Sequence, residues 1–135
     1  MTIILFDADG FKQANDTFGH AMGDSILIQI AQTTAAQVRD VDVLARYGGD
    51  EFIILLPQTN AEQAYLMAER IRESVAMLSI KNNESALFVT LSLGVAEIEL
   101  APQDQSIETV IHRADKALYE AKQSGRNHTI IYKRN

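Results

Sequence analysis

Two pairs of acids stand out by type and spacing: Asp7 and Asp9 in "FDADG", and Asp50 and Glu51 in "RYGGDEF". Carboxylates two residues apart on an extended strand project to the same side. Gly48 and Gly49, directly ahead of the second pair, read as a tight turn. If the two pairs met, four carboxylates would repel one another, and a hard divalent cation such as Mg²⁺ is the usual remedy. Mg²⁺ keeps several waters and takes a few carboxylates plus substrate phosphates, a combination suited to phosphoryl or nucleotidyl transfer. Either pair alone is also what a strand exit or a hairpin tip with solvated acids produces. The metal reading therefore depends on a fold that brings the pairs together.

The flanking sequence supplies elements that would do so. "TIILF", from Thr2 to Phe6, is an apolar, β-branched strand stopped by "DADG". A polar loop follows. "SILIQIAQTTAAQV" then places Ile26, Leu27, Ile30, Ala31, Thr34, Ala35 and Val38 on one helical face, with Asp24 or Ser25 as cap. "VDVLARY" and "FIILLP" flank "GGDE" as the two arms of a hairpin. Asn60 caps a second helix, with Gln63 placed to complete a capping box. "SALFVTLSLGVAEI" reads as one long strand, "SIETVIHRADKALYEAK" as a third helix ending at Gly125, and "HTIIYK" as a closing strand.

The order strand-helix-strand-strand-helix-strand-helix-strand predicts an α/β (α+β) fold of the split βαβ, ferredoxin-like kind, with the sheet on one side and the helices on the other. Right-handed crossovers put the first strand mid-sheet, beside the second strand of the hairpin. The two acid pairs then share one edge.

Composition narrows the partners. The 135 residues suffice for one domain that buries its own core. A net charge of −6 argues against a nucleic-acid or anionic-membrane partner, so a polyphosphate ligand needs local cations. With no cysteine, thiol catalysis and zinc–thiolate sites are excluded. "MTIILFDADG" is too short for a signal peptide or a membrane segment and has no basic leader, which predicts a cytoplasmic chain.

At this point the residues resemble a known family, the GGDEF-domain diguanylate cyclases, which join two GTP molecules into cyclic dimeric GMP. The resemblance runs through "FDADGFKQANDTFGHAMGD", "RYGGDEF", "AERIR", "TLSLGVA", "RADKALYEAK" and "SGRN". It implies a polymerase-palm-like sheet over residues 1–135 and a diguanylate cyclase, a nucleotidyltransferase that works as a homodimer, since each site handles one GTP. It also implies Mg²⁺ or Mn²⁺ as cofactor, and cyclic-di-GMP as product and inhibitor.

The same resemblance assigns roles. Asp7, the main-chain carbonyl of Ala8, Asp50 and Glu51 hold the metal ions. Asp50 or a metal-bound hydroxide deprotonates the attacking 3′-hydroxyl. Gly48 and Gly49 let the triphosphate approach where a Cβ would clash. Lys12, Lys122 and Arg126 meet the phosphates, although cations near a helix C-terminus are favoured in any case. Asn15 and Asp24 read guanine, whose N1 and N2 hydrogens a carboxylate can accept, and Phe11 and His20 line the pocket. Asp9 and Asp16 take structural roles. Arg39 and Asp42 form the R-x-x-D of an inhibitory product site, to which Arg70 adds a second arm. The plain alternative for R-x-x-D is a helix end followed by a strand start.

One departure concerns the beginning. Members usually carry a further helix and a D-x-L-T turn before the first strand, whose Asp pairs with the residue corresponding to Arg46; here Met1 stands almost at that strand. Two functions stay open on the sequence: a cyclase domain, or a non-catalytic regulatory module that binds GTP or cyclic-di-GMP.

Overall fold

The computed structural model describes residues 1–83, 85–98 and 106–133. The chain runs β1 (Thr2–Ala8), α1 (Phe11–Phe18), α2 (His20–Ala35), β2 (Val43–Arg46), β3 (Glu51–Leu56), α3 (Ala61–Ala76), β4 (Ile80–Asn82), β5 (Ser85–Leu87), β6 (Leu91–Glu97), α4 (Ile107–Gln123) and β7 (His128–Ile131). Five strands make the main sheet in the order β2-β3-β1-β6-β7. All pairs are antiparallel except β6 with β7. β1 lies at the centre beside β3, as the crossover argument requires.

Every residue of β1 is buried, because helices cover both faces of the sheet. Ile4, Phe6 and Ala8 pack with Ile26, Leu27 and Ile30 of α2 and with Met67, Ala68 and Ile71 of α3. The alternate residues Ile3 and Leu5 pack with Val110, Ala114 and Leu118 of α4. The one-sided arrangement read from the sequence is thus corrected: α4 crosses to the far face. Two-sided burial explains why β1 reads as an unbroken apolar run.

Register is pinned one step before the acids. Phe6 pairs with Phe52, their rings stacked at 5.3 Å, and the next pair is Asp7 with Glu51. A slip of one residue would turn every side chain of β3 to the wrong face. The α4 helix sits unusually close to β6 at Gly94, where a Cβ would lie 2.1 Å from the Ala114 carbonyl oxygen and 2.4 Å from the Leu118 nitrogen.

Three local readings change. The polar loop contains α1, FKQANDTF, which fully buries no residue and touches the core only through the half-buried Phe11 and Ala14, too little to stand out in the sequence. Helix α2 begins at His20, with Gly19 as N-cap, so neither Asp24 nor Ser25 caps it; both lie inside the helix. The long strand from Ser85 divides: β5 pairs with β4 in a separate two-stranded sheet, and β6 alone joins the main one. The capping box forms as read, with Asn60 accepting from Gln63 N at 2.8 Å and Gln63 accepting from Asn60 N at 3.0 Å. No helix among the described residues is long and apolar enough to cross a membrane.

Candidate active site

The end of β1 and the tip of the β2–β3 hairpin meet at one edge of the sheet. Asp7 follows Ile3 and Leu5 on the α4 face, and Glu51 faces it across the ladder. From α4, the Lys122 ammonium donates to Asp7 Oδ2 at 2.5 Å. The other oxygen, Asp7 Oδ1, is buried and accepts no hydrogen bond among the described residues. Burial pushes the Asp7 carboxyl up, assisted by the charges of Asp50 and Asp9 and opposed by Lys122. Glu51 is also pushed up, first by burial and then by the Asp115 and Asp7 charges.

Two small clefts open beside this pair. One, of about 190 Å³, is lined by Ala8, Asp9, Gly10, Phe11, Lys12, Asp50, Lys122 and Arg126. The other, of about 150 Å³, is lined by Asp7, Glu51, Asp115, Leu118, Tyr119 and Lys122. Lys122 belongs to both. Arg126 is delivered by an unusual backbone: Arg126 and Asn127 follow Gly125 with φ of 63° and 45°, a left-handed conformation that side chains other than glycine seldom adopt. The Asn127 N–H is bonded to Asp9 Oδ2 at 2.9 Å.

Asp9 borders the first cleft, but both of its oxygens are taken up by the protein. Its carboxylate accepts from Thr90 Oγ1 at 2.7 Å and Ser92 Oγ at 2.6 Å besides Asn127, which ties the end of β1 to the strand on its other side. Asn127 extends this network through its side-chain oxygen, which accepts from Arg72 on α3 at 3.0 Å.

Among the described residues no three acids or histidines converge tightly enough to enclose an ion by themselves. The donor set nevertheless fits a hard divalent cation that shares its sphere with water and phosphate: oxygen ligands only, and in Asp7 Oδ1 a buried lone pair with nothing to satisfy it.

Gly48 and Gly49 both have ordinary backbone angles, unlike Gly10, Gly19 and Gly125. An added Cβ would meet nothing within 4 Å at Gly49 and only the Glu51 side chain, at 3.9 Å, at Gly48. The turn therefore does not require glycine for its own backbone or packing. Arg46 holds it from outside: Nε donates to the Gly49 carbonyl at 2.9 Å and the Gly48 carbonyl at 3.3 Å, and Nη2 also bonds Gly49 O.

The remaining candidates lie elsewhere. Asn15 and His20 bond each other at 3.1 Å where α1 meets α2. Asp24 borders an apolar groove of about 440 Å³ between α2 and the hairpin, with Leu27, Ile28, Leu44 and Arg46. Arg39 and Asp42 lie at the opposite end of β2 from the GGDE tip. They bind each other, with Arg39 Nη2 at 2.7 Å from Asp42 Oδ1 and the Arg39 N–H at 2.7 Å from Oδ2. Arg39 Nη2 reaches Pro57 O and Thr59 Oγ1 as well. Burial raises the Asp42 carboxyl, yet Arg39 outweighs it and holds the group below the usual carboxylate range. Arg70 is exposed on α3.

Asp115 and Tyr119 line the second cleft and were not singled out from sequence. Asp115 stands seven residues before Lys122, hence on the same helical face, a spacing that would have pointed to it.

Comparison with known proteins places these features in a wider group. The model of the family described as "Diguanylate cyclase, GGDEF domain" matches residues 1–128. Diguanylate cyclase A of Treponema denticola is 44% identical over 135 residues, which span 100% of this chain and 36% of that protein. The response regulator PleD of Caulobacter vibrioides is 39% identical over 132 residues, 96% of this chain and 29% of the relative. The chain thus spans about a third of the length of these curated relatives. Among solved structures, the active GGEEF domain of a diguanylate cyclase from Vibrio cholerae superposes with a TM-score of 0.92 at 36% identity, covering 99% of this chain and 83% of that one. The GGDEF domain of DgcB from Caulobacter crescentus, in complex with c-di-GMP, gives 0.91 at 32% identity, covering 97% and 77%.

Proposed function

The chain belongs to the GGDEF diguanylate cyclase family, and from that premise we propose that residues 1–135 act as one cyclase domain, condensing two GTP into cyclic-di-GMP and two pyrophosphates across a homodimer in the cytoplasm. The observation that carries this reading is the meeting of Asp7, Glu51 and Asp50 with Lys12, Lys122 and Arg126 around two adjoining clefts.

In this reading Asp7, the Ala8 carbonyl, Asp50 and Glu51 hold Mg²⁺ or Mn²⁺. A bound cation would offset charge on the triphosphate and favour attack at the α-phosphorus. Lys12, Lys122 and Arg126 grip the phosphates, and Gly48 and Gly49 leave them room, which suits a turn that has no need of glycine for itself. The 3′-oxygen of one GTP bonds to the α-phosphorus of the other. Its proton passes to Asp50, and the α–β bridging bond breaks with its electrons going to pyrophosphate. Phe11, Asn15, His20 and Asp24 form the guanine pocket. One chain holds one GTP, so the rate should rise steeply with protein concentration. Incubation with GTP and Mg²⁺, following pyrophosphate and cyclic product over a dilution series, tests the proposal. GTP binding with no product at any concentration would leave the regulatory-module reading instead.

Arg39 and Asp42 are assigned to a product-binding site, with Arg70 as its second arm. DgcB, solved with c-di-GMP, is one of the family members that this chain resembles. The pair stands at the far end of the hairpin from the reacting groups, so inhibition there is a coupling between sites rather than competition. Arg39→Ala is expected to keep the GTP rate and lose product affinity by roughly five- to 150-fold, the range for one bidentate guanine contact. Titration of product against the parent and the variant checks this; equal inhibition of both would reduce R-x-x-D to the local clamp around Pro57 and Thr59.

A further inference from the structure

We propose that Gly23 is a specificity-determining positioning residue, its bare Cα forming the floor on which the Asn15 carboxamide lies. This rests on the reading of Asn15 as a base-recognising residue. Helices α1 and α2 meet at Gly19, whose φ of 91° turns the chain. Gly19 N–H donates to Asn15 O at 2.8 Å, and Gly23 N–H donates to Gly19 O at 3.1 Å. Asn15 and Gly23 are thereby held one turn to either side of the corner and face each other across it.

A Cβ at Gly23 would stand 2.2 Å from Asn15 Oδ1, 3.1 Å from its Cγ and 3.3 Å from Phe11 Cζ. His20 forms the side wall, with its Nδ1 at 3.1 Å from Asn15 Nδ2. An asparagine amide has a donor at one end and an acceptor at the other, in almost the same shape. A floor against the oxygen end and a partner at the nitrogen end select one of the two presentations. A site built on such a contact discriminates strongly, since a wrong base leaves polar groups unpaired.

The clash that a methyl creates is with the far end of a flexible side chain. It is relieved by turning Asn15, with no need to part the helices. Alanine is also a better helix former than glycine, and Gly23 has an ordinary helical φ. Gly23→Ala should therefore melt at or above the parent temperature while recognition suffers, on the order of ten- to a hundredfold for a group displaced by about an ångström.

The test uses calorimetric titration of α,β-methylene analogues of GTP and ATP, which cannot be cleaved at the reacting bond. Parent, Gly23→Ala, Asn15→Ala and the double variant are compared, each with its melting temperature. The expected result is that Gly23→Ala loses most of the guanine preference that Asn15→Ala loses, and that the double variant is no worse than Asn15→Ala alone. If Asn15→Ala loses the preference and Gly23→Ala keeps it, the role of Gly23 is overturned while the base reading survives. Unchanged preference in Asn15→Ala overturns the base reading itself. Additive losses in the double variant, or a Gly23→Ala chain that melts well below the parent, would mean that the methyl acts on the helices and not through Asn15.

Discussion

Asp7→Asn is expected to lower GTP turnover on the order of a thousandfold or more and, at the same time, to leave the cation-stripped protein as stable as the parent or more so. The two effects have one cause. Asp7 is buried on the central strand with one oxygen unbonded and the other paired with Lys122, and the burial of its charge outweighs that ion pair. Burial raises its pKa above the unfolded value, and the sign of the pH dependence follows. Below the unfolded pKa the group is neutral in both states and carries no charge-burial cost. As pH rises through the folded pKa, the carboxylate must charge in a poor environment and stability falls. Glu51 acts in the same direction. Asp42 and Glu69, whose pKa values are lowered, act oppositely, so the informative quantity is the difference between parent and variant. Thermal melts in chelator from pH 4.5 to 7.5 should show a shallower decline with pH in Asp7→Asn. A variant that turns over GTP at the parental rate would remove Asp7 from the metal set; one that melts far lower would make it a structural residue.

Gly94→Ala should be the most destabilising methyl that the described glycines admit. Its Cβ would press on backbone atoms of α4, and backbone cannot rotate away as the Asn15 side chain can. Helix α4 would have to lift from β6, loosening Val110, Ala114 and Leu118 from Ile3 and Leu5. Overpacking of this kind costs about 1–3 kcal/mol and occasionally more, a large part of a typical ~5–15 kcal/mol total. Because α4 also carries Asp115 and Lys122, activity should fall with stability. Denaturant unfolding and the GTP assay check both; a midpoint within error of the parent would mean that the helix adjusts without cost.

How far the sequence discloses the molecule can be judged from particular residues. The pairing of β1 with β3 follows from two apolar runs and a hairpin, and with it the meeting of Asp7 and Glu51. Helix α1 stays hidden because two turns with only Phe11 and Ala14 half-buried give too short a stripe to read, and Gly23 further discourages extending α2 back to His20. The placement of α4 on the far face is equally silent, since an apolar stripe says that a helix packs but not on which side of a sheet. Asp9 and Asp7 look alike as letters; only the positions of Thr90, Ser92 and Asn127 show that both Asp9 oxygens are bonded, while Asp7 keeps one oxygen unbonded beside its pairing with Lys122. The grip of Arg46 on two carbonyls leaves no trace in sequence at all, because every residue has a carbonyl.

The Asp9 network also bears on when the molecule comes into being. It joins a residue near the start of the chain to Thr90, Ser92 and Asn127, and Lys122 reaches back 115 positions to Asp7. Contacts of such long sequence separation form only after most of the chain has been ordered, since loop closure precedes their gain. A chain still on the ribosome is therefore expected to lack the cleft lined by Asp9, Lys12 and Lys122 until α4 and β7 have emerged. The groups that line this cleft are thus among the last to be brought together as the domain folds.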